Sequence, residues 1–397
     1  MSGQPTAHFA ASRVECLDGL RGIAALWVLL GHCALLTGLA LPVIDKPDLG
    51  VDLFMMLSGF LMVFHYHLRA GTEPWGSPRT WVRFWIRRYF RVAPLYYLML
   101  AAALIAGPAI LSWRTVIDQI LHQATLTSPE AFIDHSPRNI AAHLSFVFGL
   151  LPSYAMRTPL PDWSLTLEMQ FYALFPALML LTRKLGWARS AGLAALAGAV
   201  ISHITWHYSI HYPMPSFLPL RIDIFFAGML LAQADRVEKR TAIFYLVLAL
   251  LLALQPFQGE GSLERLVVRE ILVLAFFALT LNRFLPAPGA AIAAKLAAIL
   301  GRNPFRWLGE ISYGVYLLHL PIMAPVAAIV LLRFGHGAPA PFLIAFLTAA
   351  ALVYPLAWLA HRLIEIPGQA AGRLLLRRLS RKTIEARSDQ AESLTAL

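Results

Sequence analysis

The sequence predicts an all-α, polytopic membrane protein of about ten transmembrane helices with both termini in the cytoplasm. Three observations predict it. Of 397 residues, 58% are hydrophobic and only 14% charged, whereas about a quarter of a soluble domain is charged. Apolar runs of about 20 residues, enough to cross a bilayer core of about 30 Å, recur along the chain. Lys and Arg gather in alternate connections between those runs, the signature of loops kept on the cytoplasmic side.

The first run, near 20–40, follows a polar segment that ends near Ser12. It is too long for a signal-peptide core and lacks a convincing cleavage site, so it reads as a retained helix. Further spans are expected near 50–67, 90–111, 164–182, 190–208, 217–234, 240–256, 266–284, 309–332 and 341–363. A long loop of mixed charge, 112–162, is expected on the outer face. Within it the apolar stretch from His143 to Tyr154 is short and ends near a proline, so it reads as re-entrant or interfacial. One set of connections carries Arg79, Arg83, Arg87, Arg88 and Arg91, then Arg183, Lys184 and Arg189. The same set continues with Arg236, Lys239 and Arg240, and with Arg283, Lys295, Arg302 and Arg306. The other set holds only Lys46 across 41–49 and no basic residue across 209–216. That asymmetry and an even helix count place both termini inside. A membrane domain is expected over 1–370, then a tail, 371–397, basic at first, then polar and disordered.

The net charge of +11 is explained by these cytoplasmic loops rather than by nucleic acid, which is not expected as a partner. Cys16 and Cys33 form neither a disulfide framework nor a metal-binding spacing, and no metal is expected.

Polar residues inside the apolar runs point to a site, because an ionisable group at membrane depth is costly and is functional by default. Arg21 and His32 are eleven residues apart, about three turns, so they share one helix face about 16 Å apart. With the first helix running outward, His32 lies about 18 Å above the cytoplasmic edge. Glu168 lies about 8 Å below the outer end of its helix. Asp52 and Ser58 descend from the outer face, and His319 climbs from the inner face to about mid-membrane. A neutral imidazole can accept a proton near physiological pH, and a carboxylate can orient it. The bland alternative is a histidine bonded to a neighbouring helix for packing. Ser58, followed by Gly59, reads equally well as a small residue at a helix contact. Arg21, Arg88 and Arg91 near the inner boundary could hold phosphates through paired hydrogen bonds. They could also be ordinary topology-setting arginines.

The same residues carry a resemblance. Leu17-Asp18-Gly19-Leu20-Arg21-Gly22 through His32 is similar to the opening of the acyltransferase 3 family of integral membrane O-acyltransferases, whose signature is Arg, ten residues, His. Gly50-Val51-Asp52-Leu53-Phe54 and Leu57-Ser58-Gly59-Phe60 resemble its second-helix block, with Met55 and Met56 where Phe or Val is usual. Arg88-Tyr89-Phe90-Arg91, with Pro94 and Tyr96, resembles its Arg-x-x-Arg segment. Trp163-Ser164-Leu165, Glu168 and Gln170-Phe171-Tyr172 match another block, although Met169 replaces a second acidic residue and leaves Glu168 as the one carboxylate there. Ser312-Tyr313, Tyr316-Leu317, His319-Pro321 and Glu365-Ile366-Pro367 complete the order, so the resemblance spans about 15–370.

What the resemblance implies is transfer of an acyl group, usually acetyl, from cytoplasmic acyl-CoA to a carbohydrate hydroxyl at or beyond the cytoplasmic membrane. Acyl-CoA is then the donor substrate, with no permanently bound cofactor. Arg21, Arg88 and Arg91 are expected to hold the CoA phosphates. His32 is expected to act as base or transient acyl acceptor, with Glu168 orienting it. Asp52, Ser58, Trp163, Tyr172 and His319 are expected around the acceptor. The 397 residues leave no room for the fused esterase-like domain that some members carry. The alternative is a proton-coupled secondary transporter of an acylated or anionic solute with His and Glu as relay. It is disfavoured because the sequence lacks evident internal repeats and paired broken helices.

Overall fold

A computed structural model describes residues 4–123, 128–208, 211–254 and 262–379, with side chains from Glu15 onward. Its regular elements are helical throughout the described residues. In order they are α1 (Gln4–Thr37), α2 (Pro47–Arg69), α3 (Pro78–Leu121), α4 (Glu130–Ile133), α5 (Pro137–Leu144), α6 (Trp163–Leu185) and α7 (Trp187–His207). Then follow α8 (Ile222–Ala234), α9 (Lys239–Ala253), α10 (Leu263–Thr280), α11 (Ala287–Leu300), α12 (Phe305–Glu310), α13 (Ser312–Phe334) and α14 (Pro339–Ala360).

The helix ends follow local chemistry. α2 opens with Pro47 and carries Asp48 in its first turn, where a fixed φ and a negative charge suit the exposed N–H groups. Ser262 caps α10 by accepting from the Arg265 N–H at 3.4 Å. α6 stops at Gly186, whose φ of +81° favours glycine.

All ten expected spans overlap helices among the described residues, with 255–256 of the 240–256 span outside them, and six described helices are by length and composition able to cross a membrane: 15–37, 47–69, 78–121, 163–185, 312–334 and 339–379. The segments expected at 190–208, 217–234, 240–256 and 266–284 correspond to α7, α8, α9 and α10, of 21, 13, 15 and 18 residues. α8 shows that apolar content by itself does not establish a span. It is hydrophobic on every side because it is enclosed by protein, packed on α2, α7 and α9, and nearly all its side chains are buried.

α3 has 44 residues, about 66 Å, so it outruns a bilayer core and carries Arg79, Arg83 and Arg87 on its first turns. It also shortens the loop expected from 112. Beyond it, α5 and a 3-10 turn at Phe148–Leu150 fold the His143–Tyr154 stretch inward, with Phe148 and Gly149 buried. At the other end the helical backbone passes the expected boundary at 370 through one π turn (His361–Glu365) and continues to Leu379. The rest of the expected tail, 380–397, lies outside the described residues.

The central crossing, α2 on α8, is built on two glycines. A Cβ at Gly59 would stand 2.0 Å from the Phe225 carbonyl oxygen, and one at Gly228 would stand 2.0 Å from the Met56 carbonyl oxygen. Close backbone approach of this kind is how helices associate where the hydrophobic effect cannot drive them. Gly59→Ala is therefore expected to destabilise the bundle by about 1–3 kcal/mol through overpacking. Gly71→Ala, with open space around the new Cβ, is the control. Thermal unfolding of both variants in detergent checks this, and equal midpoints would count against it.

Candidate active site

α1 places the two residues of the first motif. It crosses α12 where a Cβ at Gly309 would meet the Asp18 carbonyl oxygen at 1.8 Å. A Cβ at Gly19 would meet the Leu300 carbonyl oxygen at 2.1 Å. The motif's glycines thus set the height of α1, and Arg21 is held by Asp18 at 2.9 Å.

Three turns further along, His32 meets His319 of α13. His32 Nδ1 lies 3.0 Å from the Val28 carbonyl oxygen and 3.1 Å from His319 Nε2. His319 Nδ1 lies 2.7 Å from the Tyr316 carbonyl oxygen. Carbonyls only accept, so this network assigns a proton to both Nδ1 atoms. The His32 Nδ1–H is then shared between Val28 and the His319 Nε2 lone pair. The lone pair of His32 is left on Nε2. His319 is fully buried, whereas His32 is half-buried against a cavity. A histidine with one nitrogen oriented by a buried partner and the other unprotonated can act as a base.

Two cavities meet beside this pair. One, of about 740 Å³, is lined by Arg21, Arg91, Ser164, Glu168, Tyr313 and Glu365 among others. The other, of about 1440 Å³, is lined by His32, Met156, Trp163, Met214 and several prolines among others. Val51 and Tyr316 line both and form their common wall. The Tyr316 hydroxyl donates to the Pro161 carbonyl and receives the Ser164 hydroxyl at 2.7 Å. The wall is thereby tied to the start of α6. In the arginine-lined cavity, Glu168 accepts from Ser58 Oγ at 3.1 Å and from the Tyr172 hydroxyl.

The sequence model of one protein family, described as an acyltransferase domain, matches residues 14–362. The chain belongs to that family. It is a multi-pass membrane acyltransferase domain. It is 24% identical over 352 residues to the peptidoglycan O-acetyltransferase OatA of Listeria monocytogenes, an alignment covering 80% of this chain and 50% of that protein. It is 28% identical to the putative membrane-bound transacylase BcsY of Komagataeibacter xylinus, covering 83% and 78%. It is 27% identical to the acyltransferase MdmB of Streptomyces mycarofaciens, covering 96% and 98%. The chain thus spans about half the length of the Listeria relative. No solved structure matches it.

Within this acyltransferase domain the expected site residues fall into four places. His32 and Trp163 line the larger cavity, and His319 supports His32 from behind. Arg21, Arg91 and Glu168 line the smaller one, with Ser58 and Tyr172 bonded to Glu168. The partner that orients His32 is therefore His319; the hydrogen bonds of Glu168 go to Ser58 and Tyr172. Arg88 is set against aromatic rings, its guanidinium carbon 5.7 Å from the Phe84 centroid and 5.5 Å from that of Tyr172. Its neighbour Arg87 pairs with Glu73 through two bonds of 2.7 Å.

Asp52 lines neither cavity. Its carboxylate is 2.6 Å from Arg269 Nε and 3.8 Å from Arg221 Nη1, and Asp223 is buried in the same group of side chains. Mutual neutralisation is what lets four charged side chains sit in the protein interior. Tyr316 and Ser164 were visible in the sequence only as motif letters, since forming a wall depends on helix packing. Arg221 and Arg269 could have been noticed as arginines inside apolar runs.

Proposed function

We propose that this domain transfers an acyl group, acetyl by default, from acyl-CoA on the cytoplasmic side. The acceptor is a hydroxyl of a carbohydrate (surface polysaccharide, glycan or glycolipid) at the outer side of the cytoplasmic membrane. The observation that carries the proposal is the meeting of an arginine-lined cavity and a histidine-lined cavity at one wall. Two cationic side chains suit the phosphates of CoA. The concentration of basic loops supports a cytoplasmic side for that cavity. The name of the Listeria relative supports acetyl as the group and a surface glycan as the acceptor class.

In this reading the thioester reaches from the arginine-lined cavity past Val51 and Tyr316 toward His32. The acceptor hydroxyl gives its proton to His32 Nε2 as its oxygen attacks the thioester carbonyl. The imidazolium is stabilised by donation from Nδ1 to His319 Nε2. When the tetrahedral intermediate collapses, the C–S bond breaks and the sulfur of CoA takes the proton back from Nε2. Trp163 offers an apolar face to a sugar ring. Glu168, with Ser58 and Tyr172, offsets the positive charge of Arg21 and Arg91.

Arg21→Lys is expected to raise the KM for acyl-CoA about tenfold, because a point charge does not reproduce a forked donor. Initial rates against acyl-CoA concentration check it, and an unchanged KM removes Arg21 from donor binding. The proposal as a whole is tested by mass spectrometry of surface glycans from cells lacking the gene, rescued by wild type or by His32→Ala. A lost acyl mass restored only by wild type supports it and names the acceptor. An unaltered glycan profile across all strains counts against a carbohydrate acceptor, and absence of any acyl-CoA-dependent product would favour the transporter.

A further inference from the structure

The larger cavity contains one cation, Arg114, that no carboxylate in the cavity lining pairs with. Its other charged walls are paired. Asp45 takes Lys46 at 3.2 Å, and Asp48 takes Arg265 at 2.8 Å. Arg114 of α3 lines the same cavity, and its Nε is buried with no hydrogen-bond partner. Asp118, one turn further along α3, offsets part of its charge but does not line the cavity. The remaining surface there is mostly apolar, including Pro159, Pro213, Met214 and Phe132. A guanidinium in such a setting gains most from a planar or tetrahedral oxyanion, which it can grip through two parallel N–H bonds.

We infer that the His32 cavity selects an acceptor bearing an anionic group, a carboxylate or a phosphate, and that Arg114 is the residue that binds it. The inference rests on the proposed acyl transfer to a carbohydrate and specifies its acceptor class. Because Arg114 and His32 line one cavity, the anion and the reacting hydroxyl belong to the same molecule. A sugar acid and a phosphorylated sugar supply the same chemistry, so the experiment separates them.

The test uses the full chain in lipid nanodiscs with acetyl-CoA and three matched oligosaccharides. They differ only at one terminal glucose: unmodified, oxidised to glucuronate, or phosphorylated at the same carbon. Wild type is expected to favour one charged acceptor over the neutral one by about 10- to 100-fold in kcat/KM, the range of a charge-assisted bond. Arg114→Gln should bring that ratio to about 1, and Arg114→Lys should retain part of it. Raised salt should shrink the wild-type preference. Whichever charged arm is preferred identifies the source of the anion. Equal use of the three acceptors by wild type overturns the inference while leaving acyl transfer standing. So does an equal loss on neutral and charged acceptors in a folded Arg114→Gln, which would make Arg114 structural or a stabiliser of the reacting carbonyl. If Arg114→Gln fails to fold, the ratio in Arg114→Lys decides, and an undiminished preference there together with no salt effect overturns the inference. Acylation of none of the three removes both this inference and the carbohydrate reading.

Discussion

His32→Ala lowers kcat for acyl transfer by about 100- to 10,000-fold, the range for loss of a positioned proton acceptor, while the protein stays folded. The expectation follows from where the ring sits. His32 lines a cavity rather than filling a packed core, so its removal leaves no closed void, and its bonds are to the Val28 carbonyl and to His319. His319 keeps its own bond to the Tyr316 carbonyl in the variant. The check pairs single-turnover rates with unfolding midpoints for wild type, His32→Ala and His319→Gln. The last variant cannot supply the same imidazole lone pair and should fall between the other two. A His32→Ala rate within tenfold of wild type would show that another group takes the proton. A lost folded state with no residual fold would support the packing role instead.

Asp52→Asn is expected to destabilise the fold by about 3–5 kcal/mol, the cost of breaking a buried ion pair from one side. Arg269 loses a carboxylate 2.6 Å away, and both residues are 2% exposed. Joint replacement by Asp52→Leu and Arg269→Met removes both charges and should be milder than either single change. Denaturation in mixed micelles measures wild type, Asp52→Asn, Arg269→Met and the double variant. A single variant as stable as wild type would mean that water or a neighbouring acid already neutralises the arginine.

The sequence made the membrane class and the order of motifs legible because both are local properties. Apolar run length reports a span, and the spacing of eleven from Arg21 to His32 reports one helix face. Contacts between distant helices were not legible. His32 and His319 are 287 positions apart, and Ser58 and Glu168 are 110 apart. Nothing in residue order says which polar group on one helix faces which on another. Asp52 shows the limit clearly: at the right depth for a substrate, it turns instead toward Arg269 and Arg221. The count of ten spans rests on composition alone, which has a related limit. A helix enclosed by protein, such as α8, has the same composition as one facing lipid.

The wall of Val51 and Tyr316 has a consequence for the cell. Val51 and Tyr316 line both cavities, so the two spaces share a partition built from single side chains. In the acyl transfer proposed above, only a fragment the size of the acyl group has to pass this partition. In that proposal the carrier nucleotide stays on one side of it and the glycosyl chain on the other. Moving the acyl group rather than either of its carriers would then call for no conduit wide enough for a nucleotide or a glycan.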